Sequence, residues 1–240
     1  MEQYNISNYC FYGNIKSEIK LVFVSDLHES PINNLLNNIR KLNPDLILLG
    51  GDIIHSKRLS KNGLNFFNET ALIAPTLCCI GNHERLFGDD ILFEIIKSGV
   101  IPLDDSAIQF KDINIGGLSS PVQEYNNTVK GKDRVPNLDW LSEYEKIKGY
   151  KILLCHQPEY YDKYIREHNI DLVLSGHVHG GQWRIGNQGV YAPGQGLFPK
   201  YTAGIYENKL IVSRGIGNAH LIPRINNKPE IILIKIIPSK

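Results

Sequence analysis

The sequence of 240 residues is poor in sulfur and tryptophan, with one methionine, two tryptophans and four cysteines. The cysteines show neither CxxC spacing nor a small secreted frame, and the pair Cys78–Cys79 lies in an apolar run. We therefore expect this pair to be buried thiols, in a protein of a reducing compartment. No basic and apolar leader opens the chain, and an apolar stretch such as 231–237 is far too short to cross a bilayer. These features predict a cytoplasmic protein without a transmembrane segment, and they leave peripheral membrane contact open.

An excess of one charge is also missing, since 26 Lys and Arg against 25 Asp and Glu give a net charge of +1. This balance excludes a global basic field that would hold nucleic acid, although it does not exclude a local patch. Repeats, low-complexity tracts and linker-like changes in composition are absent as well. We expect one continuous globular domain over residues 1–240, and no pattern specifies an oligomeric state.

Short β-branched runs alternate with helical patterns along the chain. Strands are predicted at 20–25, 45–49, 76–80, 151–155, 171–174, 209–213 and 230–236, with two more between 100 and 119 joined by a turn at 104–105. Helices are predicted at 31–41, 60–71, 89–97, 138–148 and 158–167, the first with Ser30 as N-cap and Pro31 at its first position. This alternation predicts an α/β fold with mostly parallel strands, and the C-terminal third suggests a mixed sheet or a second sheet.

Residues able to bind a metal follow five of the predicted strands directly. The segments are Asp26-Leu27-His28, Gly51-Asp52, Gly81-Asn82-His83-Glu84, Cys155-His156 and Gly176-His177-Val178-His179. Because the carboxyl ends of parallel strands meet at one edge of a sheet, these segments can converge. Glycines 51, 81 and 176 are expected to let the chain turn sharply there.

The side chains in these segments fit a particular group of metals. Imidazoles mixed with carboxylates, without thiolates, suit divalent Mn, Fe, Co or Zn. Two Asp, one Asn and four His are too many ligands for one tetrahedral ion, whereas two ions sharing a bridging carboxylate would use them all. The pattern predicts two divalent ions as cofactors.

The order D-x-H, G-D, G-N-H-E, H, G-H-x-H over about 20–179 resembles that of the calcineurin-like metallophosphoesterases. The resemblance implies a four-layer α/β/β/α sandwich with mixed sheets. It also implies one metal ion held by Asp26, His28, Asp52 and His179. A second ion would be held by the bridging Asp52 together with Asn82, His156 and His177.

The resemblance extends to the reaction. His83 is similar to the family residue that contacts the phosphate and protonates the leaving group, and Glu84 is expected to orient it. The implied reaction is phosphoester hydrolysis, in which a metal-bridging hydroxide attacks phosphorus in line and His83 is the general acid.

Three further segments resemble a bacterial subgroup that includes membrane-associated or exported phosphodiesterases: 176–182 (GHVHGGQ), 195–200 (QGLFPK) and 214–217 (RGIG). We therefore expect a small phosphodiester substrate rather than a monoester. The G-D-x-x-D-R-G pattern of protein Ser/Thr phosphatases is absent, which disfavours a phosphoprotein. The candidate substrate contacts are Asn82, Trp183, Arg184 and Arg214. Trp183 and Arg184 can equally be a surface pair, and Arg214 can likewise be either a substrate contact or a surface residue.

Two alternative functions use the same residues. A non-catalytic scaffold on this fold would be expected to lose His83 or a ligand, whereas here every motif position is filled. A metal-dependent nuclease would need an electropositive groove, and no basic cluster lies beside the motifs. The histidines outside the motifs, His55, His168 and His220, are predicted to be structural.

Overall fold

The computed structural model describes residues 4–55, 61–120, 135–218 and 223–239, so His220 lies outside the described residues. Six strands form the first sheet. They are β1 (Asn5–Gly13), β2 (Ile19–Val24), β3 (Leu46–Leu49), β4 (Thr76–Cys79), β5 (Ile101–Leu103) and β16 (Glu230–Pro238). Their order across the sheet is β1-β16-β2-β3-β4-β5, with β2 to β5 parallel, β16 antiparallel to β2 and β1 parallel to β16.

Six more strands form the second sheet. They are β6 (Ser106–Phe110), β7 (Ile113–Leu118), β8 (Tyr150–Cys155), β9 (Leu172–Ser175), β14 (Gly204–Tyr206) and β15 (Leu210–Val212). The order is β14-β15-β9-β8-β7-β6, and the four central strands are parallel while both edge strands are antiparallel to their neighbours. Two short hairpins lie between β9 and β14 in the sequence. They are formed by β10 (Arg184–Ile185) with β11 (Gln188–Gly189) and by β12 (Tyr191–Ala192) with β13 (Gly196–Leu197).

Helices cover the outer face of each sheet. Those on the first sheet are α1 (Asn33–Leu42), α2 (Lys61–Ile73) and α3 (Asp89–Lys97); α4 (Leu138–Tyr144) and a π-helical turn (Tyr161–Ile165) cover the second. No helix among the described residues has the length and apolar character needed to span a membrane.

Three apolar clusters separate these layers. One lies between the first sheet and its helices, one between the two sheets, and one between the second sheet and its helices. Alternation along each strand produces this arrangement: in β2, Val22 faces the helices while Leu21 and Phe23 face the other sheet. The predicted four-layer α/β/β/α sandwich with mixed sheets is confirmed.

Several boundaries differ from the predictions. Helix α1 begins at Asn33, because the Ser30 N–H donates to the Leu27 carbonyl in a turn, so Ser30 and Pro31 do not start the helix. Residues 101–118 hold three strands rather than two, and the predicted helix at 158–167 contains only one π-helical turn. The edge strand β1 was not predicted, because it contains Asn5 and Asn8, and asparagine is uncommon in strands.

Candidate metal centre

The five motif segments follow β2, β3, β4, β8 and β9, and the structure brings them together where the two sheets meet. Backbone hydrogen bonds join the loops within the first sheet, as the Asp26 N–H donates to the Gly51 carbonyl over 3.0 Å. A bond also joins the two sheets, since the His177 N–H donates to Asp26 Oδ1 over 3.0 Å. The convergence predicted from strand direction is therefore present.

Three groups of side chains among the described residues have the spacing to hold a metal ion, and two of them contain a carboxylate. The first of these two is Asp26, His28 and His179, and the second is Asp52, His156 and His177; the third group consists of imidazoles alone, from His28, His55 and His83. Within each group the potential ligand atoms all lie within 4.8 Å of one another. Asp52 also faces the first group, because its Oδ2 lies 3.7 Å from His28 Nε2 as well as 3.2 Å from His156 Nε2. This placement suits a carboxylate shared between two ions.

Backbone carbonyls fix the orientation of three imidazoles. The Nδ1 atoms of His156, His179 and His83 lie 2.7, 3.1 and 2.9 Å from the carbonyl oxygens of Gly50, Gly217 and His55. Because a carbonyl only accepts, each Nδ1 carries a hydrogen, and Nε2 is the ring nitrogen left to bind a metal ion or to exchange a proton. Histidines that bind metals are held by such contacts.

Several polar atoms in the cluster have no hydrogen-bond partner among the described residues. They are His28 Nε2, Asn82 Oδ1 and His156 Nε2, all of them buried. Buried polar atoms are normally paired, since leaving one unpaired costs about 1–3 kcal/mol. A divalent cation accepts lone pairs from nitrogen and oxygen donors of this kind, so the residues fit the metals that the sequence predicts.

Burial and charge set the protonation of the cluster. Burial lowers the pKa of His28 and of His177 to about 3, so both imidazoles are neutral at neutral pH. Burial also raises the pKa of Asp26 to about 6. Although burial opposes the charged forms of Asp52 and His156, their mutual attraction holds the pKa of Asp52 well below its usual range and raises that of His156 to about 10.

The backbone of the cluster is strained. Positive φ angles occur at Asp26 (53°), His28 (42°), Asp52 (54°), His177 (70°) and His179 (46°). Each such angle at a residue other than glycine costs about 1–3 kcal/mol, and these conformations concentrate at functional sites. Among the three expected turn glycines only Gly51 has a positive φ; Gly81 and Gly176 instead leave room for carboxylates, because a Cβ there would collide with Asp52 Oδ1 or Asp26 Oδ2.

His83 lies beside the second group, and its position corrects the role predicted for Glu84. The His83 N–H donates to Asp52 Oδ1 over 2.9 Å, and its Nε2 lies 3.9 Å from Asp52 Oδ2. The His55 carbonyl orients this imidazole, whereas the buried Glu84 carboxylate accepts four backbone N–H groups. The donors are Asp52, Ile53, Ile54 and Gly81. Glu84 thus holds the turn that carries Asp52, and the prediction that it orients His83 was wrong.

The structure also corrects one predicted substrate contact. Arg184 is buried, and its guanidinium donates to the Gly180 carbonyl, to Thr202 Oγ1 and to the Asn187 carbonyl, so it stabilises the loop after His179. Trp183 is 43% exposed, and its indole N–H donates to the Pro223 carbonyl. Arg214 is half-buried, with its backbone N–H donating to Glu230.

Sequence reasoning missed two residues at the centre. His55 was predicted to be structural, yet its Nδ1 lies 3.1 Å from His28 Nδ1 and its ring stacks on His83. Its place three residues after Asp52 was the available signal. Arg224 donates to the Gly217 carbonyl that also accepts from His179, but no motif surrounds it in the sequence. His168, by contrast, pairs with Glu145 away from the motif loops.

Comparison with known proteins agrees with this geometry. The profile of the calcineurin-like phosphoesterases matches residues 19–181. The chain is 28% identical to the uncharacterized protein YpbG of Bacillus subtilis over 90% of its own length and 80% of that protein, and 29% identical to phosphodiesterase YaeI of Escherichia coli over 95% and 85%. One solved structure superposes on 81% of this chain, over 90% of its own length, with a TM-score of 0.50 and 12% sequence identity. This similarity is evidence for the fold alone.

Proposed function

Because this chain belongs to the calcineurin-like phosphoesterase family, we propose that it hydrolyses phosphodiesters at a centre of two divalent ions. The observation that carries the proposal is the pair of ligand groups with Asp52 between them. One set for a metal ion is Asp26, His28, Asp52 and His179. The other set is Asp52, Asn82, His156 and His177.

The proposed ions are Mn, Fe, Zn or Co, which suit mixed imidazole and carboxylate ligands. When bound, divalent ions supply Lewis-acid activation of water and neutralise charge on the phosphoryl oxygens. Glu84 supports this site indirectly, because it holds the backbone on both sides of Asp52.

His83 is the proposed proton donor to the leaving oxygen. Its Nδ1 is held by the His55 carbonyl, which leaves Nε2 as the atom that carries or releases a proton toward substrate. The His83 side chain is 16% exposed, compared with 0% for the side chains of Asp26 and His156. It can therefore meet a substrate that approaches from solvent.

A diester is the proposed substrate class because the similar protein from Escherichia coli is named as a phosphodiesterase. The net charge of +1 favours a small phosphoester over a long polyanion. The proposal takes residues 1–240 as one domain, supported by a cluster between the sheets that includes Ile15 and Ile236. It also includes a reducing, cytoplasmic location, supported by four free cysteines.

The test is hydrolysis by metal-reconstituted protein of a panel with different leaving groups: an aryl phosphodiester, an aryl monoester, a cyclic nucleotide and a lipid-linked diphosphate. We expect turnover with Mn²⁺, faster for a diester than for the monoester, and abolished by a chelator. No turnover of any of the four by protein that retains two ions would favour a non-catalytic scaffold. Cleavage confined to single-stranded nucleic acid, added as a fifth substrate, would favour a nuclease.

A further inference from the structure

Three imidazoles form a second cluster beside the proposed ligand sets. The ring centroids of His28, His55 and His83 lie 4.8 to 5.0 Å apart in every pair. His28 belongs to a ligand set and His83 is the proposed proton donor, whereas His55 has no role in the proposed function. Its position between these two residues raises the question of what its imidazole does.

The hydrogen bonds of His28 indicate the role of the His55 imidazole. His83, His156 and His179 each have Nδ1 beside a backbone carbonyl, but His28 Nδ1 lies 3.1 Å from the Nδ1 of His55. Of two ring nitrogens at this distance, one donates and the other accepts. His28 Nε2 faces Asp52 and has no hydrogen-bond partner among the described residues, as a ligand nitrogen should. With the Nε2 lone pair directed at the metal site, His28 Nδ1 carries the hydrogen and His55 Nδ1 accepts it.

We propose that His55 is a positioning residue that holds His28 in the tautomer that ligates through Nε2. The same residue fixes His83 through its backbone carbonyl, so a single residue positions a metal ligand with its side chain and the proton donor with its main chain. Partners of this kind are worth about 10- to 100-fold in metal affinity. The inference rests on the proposed metal centre.

Two nearly isosteric variants separate this role from simple packing. In His55→Asn, the amide oxygen can occupy the place of the Nδ1 acceptor, whereas in His55→Leu a methyl group stands there. Both retain the backbone carbonyl that accepts from His83. His168→Leu, at the ion pair with Glu145, is the control for loss of a histidine elsewhere.

Metal affinity is measured by titrating metal-free protein with Zn²⁺ against a competing chelator. We expect His55→Leu to bind about 10- to 100-fold more weakly, with His55→Asn and His168→Leu close to wild type. A scalar coupling between the two Nδ1 atoms across the hydrogen bond, measured by ¹⁵N NMR on the zinc-loaded wild type, tests the same contact if the leucine variant does not fold.

Wild-type affinity in a folded His55→Leu would overturn the inference while leaving the proposed function intact. Equal losses in His55→Asn and His55→Leu, with one ion fewer per chain in both, would also overturn it, because His55 would then be a ligand itself. Failure of the wild type to bind divalent ions would instead overturn the proposed function, and with it the role of His55.

Discussion

His156 Nε2 lies 3.2 Å from Asp52 Oδ2, although the two residues follow strands of different sheets. Asp52 follows β3 and His156 follows β8, and the His156 imidazole also contacts the Gly50 carbonyl beside Asp52. The centre is therefore built across the junction of the sheets, so its geometry depends on how the sheets pack. The apolar cluster between them, which includes Phe23 and Leu154, holds the two halves of the site in register.

His83→Ala should leave metal binding unchanged and reduce kcat. With an alkoxide leaving group we expect a loss of about 10²- to 10⁴-fold, the usual contribution of a general acid. With 4-nitrophenolate, which leaves without a proton, the loss should be much smaller. Steady-state kinetics on both substrates, with metal content measured in parallel, provide the check; equal losses on the two substrates would remove the proton-donor role from His83.

Glu84→Gln should destabilise the metal-free protein by at least about 2 kcal/mol, because hydrogen bonds to a buried carboxylate are worth about 1.5–3 kcal/mol each and the amide can accept fewer N–H groups. Urea unfolding measures this change. Glu143→Gln, at a largely exposed ion pair with Lys146, is the matched control and should change stability by less than about 0.5 kcal/mol. Unchanged stability of Glu84→Gln together with a reduced kcat would contradict this account and would support a role for Glu84 in orienting His83.

The stability of the metal-free protein should fall as pH drops from about 6.5 to 4. The folded-state pKa values of His28 and His177 are about 3, below their ordinary value of 6.5, so the unfolded chain binds these protons first. Each such proton changes the free energy of unfolding by up to about 1.4 kcal/mol per pH unit. The pKa of Asp26 is raised to about 6, so below pH 6 the folded chain takes up this proton before the unfolded chain does, which opposes the trend by one proton. The pKa of His156 is raised to about 10, so the stability that this group contributes is lost as the pH rises from 6.5 to 10.

Urea unfolding at several pH values measures this dependence. His177→Asn should make the dependence of unfolding free energy on pH shallower between pH 4 and 6.5, by the contribution of one proton. A flat profile between pH 4 and 6.5 in the wild type would contradict neutral, buried imidazoles in the folded state.

Much of the site was predictable because its chemistry lies in short segments with strong local signals. Asp26, Asp52 and His156 each come just after an apolar strand, and parallel strands bring such positions to one edge. The α/β class followed as well, since runs such as β3 are buried throughout and therefore need cover on both faces. The four-layer order was implied by the family resemblance.

What the sequence did not reveal depends on long-range contacts. Glu84 follows His83 directly, yet the backbone turn directs its carboxylate to the N–H groups around Asp52. His55 lies in the loop after β3, and its contact with His28 exists only because β2 and β3 are neighbours. Arg224 reaches the Gly217 carbonyl from a segment without any motif. Hydrogen-bond partners of this kind are set by the packed fold rather than by local pattern.

The most direct test of the central claim is the metal content and phosphodiesterase rate of Asp52→Asn, measured on the same preparation, with the exposed Asp90→Asn as control. The wild type and the control should bind two ions per chain and turn over a phosphodiester. Asp52→Asn should bind no more than one ion and lose more than about 100-fold in rate, since even partners outside the ligand set are worth about 10- to 100-fold. Two ions bound at full occupancy by Asp52→Asn, or hydrolysis at the wild-type rate, would contradict a two-metal centre that shares this carboxylate.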